Sequence, residues 1–189
     1  MKEFMDSKAI SGMLSYDLVL LESVELSQMW VLSAMQQHCQ SLVAMLWRIL
    51  GNEQDVCDAY QDTFLQLAHY NSGEKPEHIK AYIFRTAGNT AITILRRKLI
   101  EAKAMNAVAK VSAAGSEDFI AELDTKYLRQ NLRGAIAQLP EYLRNVVIFR
   151  DLAELPYNQV GKILGISAAT ARVYRHKAVQ LLSVWMKEE

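Results

Sequence analysis

Five basic side chains, Lys162, Arg172, Arg175, Lys177 and Lys187, fall between positions 162 and 187 with no acid among them. Such a set suits anions: charged amines neutralise phosphates, and a guanidinium can grip the edge of guanine through two parallel hydrogen bonds. Far upstream, Glu53, Asp55, Asp58 and Asp62 crowd one short segment, a composition suited to a basic partner. The chain carries 21 basic and 21 acidic residues, a formal net charge of zero. That total alone argues against a nucleic-acid binder, but the segregation of the charges fits separate surfaces for separate partners.

Catalytic chemistry is not indicated. There is no glycine-rich phosphate loop, no nucleophile motif and no histidine-carboxylate cluster, so an enzyme is not expected. Cys39 and Cys57 form no CxxC pair and share no metal-ligand spacing with the four histidines. His38 beside Cys39 reads as ordinary helix surface or core, and no cofactor is expected. With 189 residues, 51% of them hydrophobic, the chain can bury one medium core or two small ones. No apolar run reaches the roughly 18 residues needed to span a bilayer, and MKEFMDSKAI lacks the basic-then-apolar order of a secretory signal. A cytoplasmic protein without membrane insertion is the expectation.

The elements that must position these charges are helices. Apolar residues recur at helical spacing almost throughout, with no sustained alternation of the strand type, so the fold is expected to be all-α. A long helix is expected from about Leu26 to Leu50, stopped by Gly51; Asn52 then caps a second helix from Glu53 to about Tyr70. After the loop Asn71 to His78, Pro76 suits the opening of a third helix running through Arg97. The segment 101–123, with AKAMNAVAKVSAAGSED, offers few large core anchors and reads as a flexible linker. Beyond it, Asp124 can cap a helix to Gln138, and Pro140 begins another that ends near Leu152. Pro156 starts a short helix ending at Gly165, and Ser167 caps the last, which continues to about Met186. The organisation is thus an N-terminal extension without a recognisable motif at 1–25, a helical domain at 26–100, the linker at 101–123 and a second helical domain at 124–189.

On a helical wheel Val56, Ala59, Tyr60, Thr63, Phe64 and Leu67 share the buried arc of the second helix, and Asp55, Asp58 and Asp62 fall opposite. Gln54, Gln61 and Leu65 lie among these acids. The face is either a solvated surface with one tolerated leucine or a docking site for a basic partner. In the third helix Ile83, Phe84, Ala87, Ala91, Ile94 and Leu95 face inward, while Tyr82, Arg85, Asn89, Thr93 and Arg96 project. Arginine and asparagine can bond phosphates and base edges, and a tyrosine ring can stack on an unpaired base, so this face suits melted DNA. It would equally serve as a solubilising surface.

The C-terminal signal is stronger. LPYNQVGKIL, the turn LGIS and ATARVYRHKAVQLL have the lengths, glycine turn and capping serine of a helix-turn-helix. Ala171, Tyr174, Ala178, Leu181 and Leu182 form the inward arc of its second helix. Ala169, Arg172, Val173, His176 and Lys177 point outward, a mixture of donors and small apolar groups that a major-groove reader needs. A plain helical hairpin with a basic face is the competing reading.

Two blocks in order resemble one known family, the sigma-70 bacterial initiation factors, and within it the small extracytoplasmic function group. RILGNEQDVCDAYQDTFLQL and AYIFRTAGNTAITILRRK resemble region 2, a three-helix bundle; the stretch from Leu132 through LPEYLRNVVIFRDLAELPYNQVGKILGIS to Leu182 resembles region 4. The resemblance implies a sigma factor that binds core RNA polymerase through its beta-prime clamp helices and beta flap and directs it to promoter DNA. Asp55, Asp58, Gln61, Asp62 and Leu65 would meet the clamp helices. Tyr82, Arg85, Asn89, Thr93, Arg96 and Arg97 would follow the minus-10 strand, with the loop Asn71 to His78 capturing a flipped base. Ala169, Thr170, Arg172, Val173, Arg175, His176 and Lys177 would read the minus-35 element. It also implies an anti-sigma factor partner that covers these surfaces.

Some positions depart from the family pattern. Tyr82 stands where tryptophan is usual, Gly88 where arginine is usual and Thr93 where aspartate is common, which implies lower minus-10 affinity. Tyr174 followed by Arg175 replaces the usual arginine-then-aliphatic pair, so a ring packs inward and an arginine sits at the groove edge. A stand-alone helix-turn-helix regulator with a sensing or dimerising N-terminal half remains the alternative; it would bind an operator tightly without polymerase.

Overall fold

The computed structural model describes residues 29–68, 76, 78–108 and 120–187. Among them the chain forms seven α-helices and no strand, in agreement with the all-α expectation. These are α1 (Met29–Leu50), α2 (Glu53–Ala68), α3 (Ile79–Val108), α4 (Ile120–Gln138), α5 (Glu141–Val147), α6 (Tyr157–Leu164) and α7 (Ala168–Trp185). A single wide π turn, Ile148–Leu152, continues α5. Two compact units divide within α3, one ending at Ala91 and the other beginning at Ile92.

In the first unit α1 buries Met35, Leu42, Met45, Leu46 and Ile49, and α2 buries Phe64 and Leu67. All six residues placed on the inward arc of α2 are buried, as are all six of α3, of which Ile94 and Leu95 belong to the second unit. The two turns of the hairpin follow local rules. Gly51 takes φ 78, the left-handed conformation that ends a helix at little steric cost. Asn52 then accepts from the Asp55 amide through Oδ1 at 2.9 Å, satisfying an amide that the first turn of α2 would leave unpaired. The start of α3 is tied to its neighbours by His38, edge-on to Phe84 at 6.1 Å, and by Gln66 Nε2 donating to Thr90 Oγ1 at 3.2 Å.

In the second unit Ala135, Ile136, Leu139, Leu143, Val147, Ala178 and Leu182 form the core that α4, α5 and α7 share. Half-buried Tyr174, Leu181 and Trp185 extend it. The C-terminal end of α4 presents carbonyls with no helical partner, and cations satisfy them. Arg144 Nη1 donates to Leu139 O at 3.1 Å, and Arg96 donates to Ala137 O from both Nε (3.2 Å) and Nη2 (2.9 Å). Burial pushes the Arg144 guanidinium pKa down, the charge of Arg96 adds to that, and Glu141 opposes it.

Three boundaries differ from the expectation. Helix α3 extends through Val108, eight residues into the segment read as linker, because EAKAMNAV consists mainly of strong helix formers even though it has few core anchors. Helix α4 begins at Ile120, so Asp124 lies inside it and is not its cap. The helix expected to run evenly from Pro140 to Leu152 widens at Ile148–Leu152, where Ala153 N donates to Ile148 O at 2.8 Å, a five-residue step. The chain then turns through Glu154 at φ 58. The expectations for residues 1–25 and for most of the loop Asn71 to His78 fall outside the described residues.

Candidate functional site

The helix-turn-helix is built as the sequence reading expected. Pro156 (φ −65, ψ 150) precedes α6, and Gly165 ends it in the left-handed region at φ 68. Ser167 caps α7 by accepting from the Thr170 amide at 2.9 Å. Gly161 was not singled out in the sequence, yet the turn depends on it. A Cβ there would lie 2.6 Å from the Ile166 carbonyl oxygen, so only glycine lets α6 and the turn approach this closely. The spacing VGKILGIS, with a second glycine four residues before the turn glycine, was the available signal.

On α7 the inward arc is as expected: Ala171, Ala178 and Leu182 are buried, and Tyr174 packs edge-on against Tyr142 at 5.0 Å. Outward stand Ala169, Arg172, Val173, His176 and Lys177, all exposed. Val173, at 52% exposure, offers an apolar group on a polar face, which suits a thymine methyl. Thr170 and Arg175 both have partners within the chain. The Thr170 hydroxyl pairs with Ser167 Oγ at 2.8 Å within the cap. Arg175 does not project free at a groove edge: Nε reaches both oxygens of Asp151 (2.9 and 3.0 Å) and Nη2 reaches Oδ1 at 2.8 Å. This side-on pair holds the guanidinium pKa above its ordinary range, first through the hydrogen bond and then through the charge of Asp151. Its partner lies 24 positions away on the π turn, beyond any wheel or local pattern.

The same turn aims Arg150 inward. Arg150 Cζ lies 5.0 Å from the centre of the Tyr157 ring, and its Nη1 donates to Leu155 O at 3.2 Å. Arg172 lies at the same 5.0 Å distance from that ring. The π turn, the start of α6 and the outward face of α7 are thus joined through one aromatic ring and one ion pair.

In the first unit the acidic face is smaller than expected. Asp58 and Asp62 are exposed, Gln61 is half-buried, and Leu65 is 41% exposed among them. Asp55 is buried at 4% exposure and does not belong to that face. It sits in the first turn of α2, where its carboxylate accepts from Asn52 Nδ2 while its amide returns a bond to Asn52 Oδ1. This reciprocal cap is structural, and a wheel at 100 degrees per residue does not separate it from an outward position. Cys57 is half-buried on the same helix; burial, then Glu53 and Asp58, push its thiol pKa up.

Along α3, Arg85, Asn89, Thr93, Arg96 and Arg97 are exposed and Tyr82 is half-buried. The donors of Arg96 are engaged by the Ala137 carbonyl, both residues belonging to the second unit. Among the described residues Arg97 makes a long, exposed pair with Glu101 at 3.8 Å, which contributes little. Among the described residues no cluster of three or more metal-ligating groups occurs, and no helix is long and apolar enough to cross a membrane.

Comparison with known proteins agrees with this arrangement. The family model "Sigma-70 region 2" matches residues 34–99 and "Sigma-70, region 4" matches residues 129–182. The chain is 26% identical over 149 residues to the ECF RNA polymerase sigma factor SigE of Mycolicibacterium smegmatis, covering 78% of this chain and 58% of that protein. It is 21% identical to the RNA polymerase sigma factor SigV of Bacillus subtilis, covering 84% and 92%. To the ECF RNA polymerase sigma factor SigW of Bacillus subtilis it is 22% identical, covering 76% and 82%. Among solved structures, CnrH in complex with the cytosolic domain of CnrY matches with a TM-score of 0.50 at 16% identity, over 96% of this chain and 99% of that one; this likeness concerns the fold.

Proposed function

The chain belongs to the sigma-70 family, in its extracytoplasmic function group, and from that premise we propose that it acts as an alternative sigma factor, binding core RNA polymerase and directing it to specific promoters. The observation that carries this reading is the presence of two opposite faces on the two family regions: exposed Asp58 and Asp62 around Leu65 in the first, and exposed Arg172, His176 and Lys177 around Val173 in the second.

The roles follow from charge. The acidic face of α2 takes a basic surface of the polymerase, the beta-prime clamp helices, with Leu65 supplying apolar contact at the centre of a charged rim. Tyr82, Arg85, Asn89, Thr93 and Arg97 serve the melted minus-10 strand, by stacking and by bonds to phosphates and base edges. Arg96 joins them only by leaving the Ala137 carbonyl that it now holds. The outward residues of α7 read minus-35 duplex in the major groove, and the beta flap takes part of the remaining surface of that region. Chemistry belongs to the polymerase, and this chain supplies recognition only. The cytoplasm is the proposed compartment, with an anti-sigma factor as the partner that masks these faces.

A direct binding experiment separates this reading from a stand-alone helix-turn-helix regulator. The purified full chain is titrated against core RNA polymerase without DNA, and against promoter DNA without polymerase. Tight binding to core and weak, strongly salt-dependent binding to DNA alone is the expected pattern. Tight sequence-specific DNA binding with no affinity for core would establish the regulator instead.

A further inference from the structure

We propose that Tyr157 is a positioning residue for Arg172, its ring setting the guanidinium in the orientation that reads one base of the minus-35 element. This rests on the reading of α7 as the minus-35 helix.

Three observations support it. First, the ring is itself fixed: Tyr157 is the first residue of α6, directly behind Pro156, whose φ is set by its own pyrrolidine. Arg150 lies over the ring and is tethered in turn to the Leu155 carbonyl. Second, Arg172 meets the ring with its Cζ 5.0 Å from the centre. Attraction between cation and ring uses the flat face of a guanidinium and leaves its edge N–H groups available, and those are the groups that bond guanine N7 and O6. Among the described residues no hydrogen bond takes the Arg172 donors. Third, the other arginine of the helix is handled in the opposite way. Arg175 gives its donors to Asp151 and also meets the Tyr157 hydroxyl, so of the two it is Arg172 whose donors no hydrogen bond takes among the described residues.

An unstacked arginine samples many rotamers, and fixing one before binding removes part of the ordering cost that base reading would otherwise carry. Tyr157 therefore acts on the discrimination made by Arg172 and not on general affinity. The aromatic ring is the operative part: phenylalanine keeps it, and leucine or methionine does not.

The test measures initiation by core polymerase with the full chain, on promoters carrying each of the four bases at each minus-35 position. Wild type, Y157F, Y157L, R172A and the double variant Y157L/R172A are compared. R172A is expected to flatten the preference at one position. Y157L should weaken the preference at that same position by about two- to five-fold, the value of one partly exposed cation–ring contact. Y157F should retain it, and the double variant should be no flatter than R172A alone. A Y157L variant with unchanged preference, with an equal loss on all sequences, or with its effect at a different position would overturn the proposal, as would Y157F behaving like Y157L. Should Y157L fail to fold, Y157M is judged by the same criteria. Failure of the sigma-factor reading is distinct, because wild type would then direct no specific initiation at all.

Discussion

Reversing Asp58 and Asp62 together, D58K/D62K, is expected to weaken binding of the full chain to core RNA polymerase by about a hundred-fold. Both carboxylates are exposed on α2, about two turns and one turn before Leu65. Each reversal replaces attraction to a basic surface by repulsion, at roughly 1.5 kcal/mol per site, and two sites give about 3 kcal/mol. Because both lie at a solvated rim, the loss should shrink as salt is raised. The measurement is a titration of labelled chain against core polymerase at two ionic strengths, alongside DNA binding by the second region, which should not change. D55A is the informative control. Asp55 is buried in the reciprocal cap with Asn52, so its loss should lower the melting temperature, by an amount corresponding to about 1 kcal/mol, and leave the exposed carboxylates of Asp58 and Asp62 in place. Binding to core that D58K/D62K leaves intact would remove the acidic face from the account.

G161A is expected to disable the second region while sparing the first. The added methyl would meet the Ile166 carbonyl oxygen at 2.6 Å, and its next neighbours are the Ala168 nitrogen at 3.4 Å and the Ser167 carbonyl carbon at 3.5 Å. All three are backbone atoms of the turn that seats α7, so no side-chain rotation relieves the clash. Overpacking of this kind costs about 1 to 3 kcal/mol, and here it also separates α6 from the entry to α7. Minus-35 discrimination should fall at least ten-fold, measured by initiation on promoters with intact and scrambled minus-35 elements. Affinity for core polymerase through α2 should stay within about two-fold of wild type. Equal loss of both activities would mean that the two units are not independent in function.

What the sequence made legible was whatever repeats along a single helix. The inward arcs of α2, α3 and α7 follow from the 3.6-residue period, and the stops at Gly51 and Gly165 and the cap at Ser167 follow from residues with one strong local preference. Pairings between distant segments were not legible. Nothing local marks Arg175 as the partner of Asp151, or Tyr157 as the ring under Arg150 and Arg172, because those meetings depend on how α5, its π turn and α7 pack. Asp55 was misread for a different reason: near a helix start, capping geometry overrides the wheel. The linker reading failed at 101–108 because scarce core anchors do not exclude a helix when alanine, lysine and glutamate favour one. Gly161 was overlooked because a glycine within a helix is read first as a tolerated weakness, and its necessity appears only when the carbonyl it faces is known.

The most direct measurement of the central claim is run-off transcription with purified core polymerase and the full chain on a library of promoter sequences. The account predicts transcripts that start at a defined position on a subset of templates sharing minus-10 and minus-35 elements, and their loss with D58K/D62K. Folded protein that directs no specific initiation from any template, or transcripts whose start sites do not depend on those two elements, would contradict it.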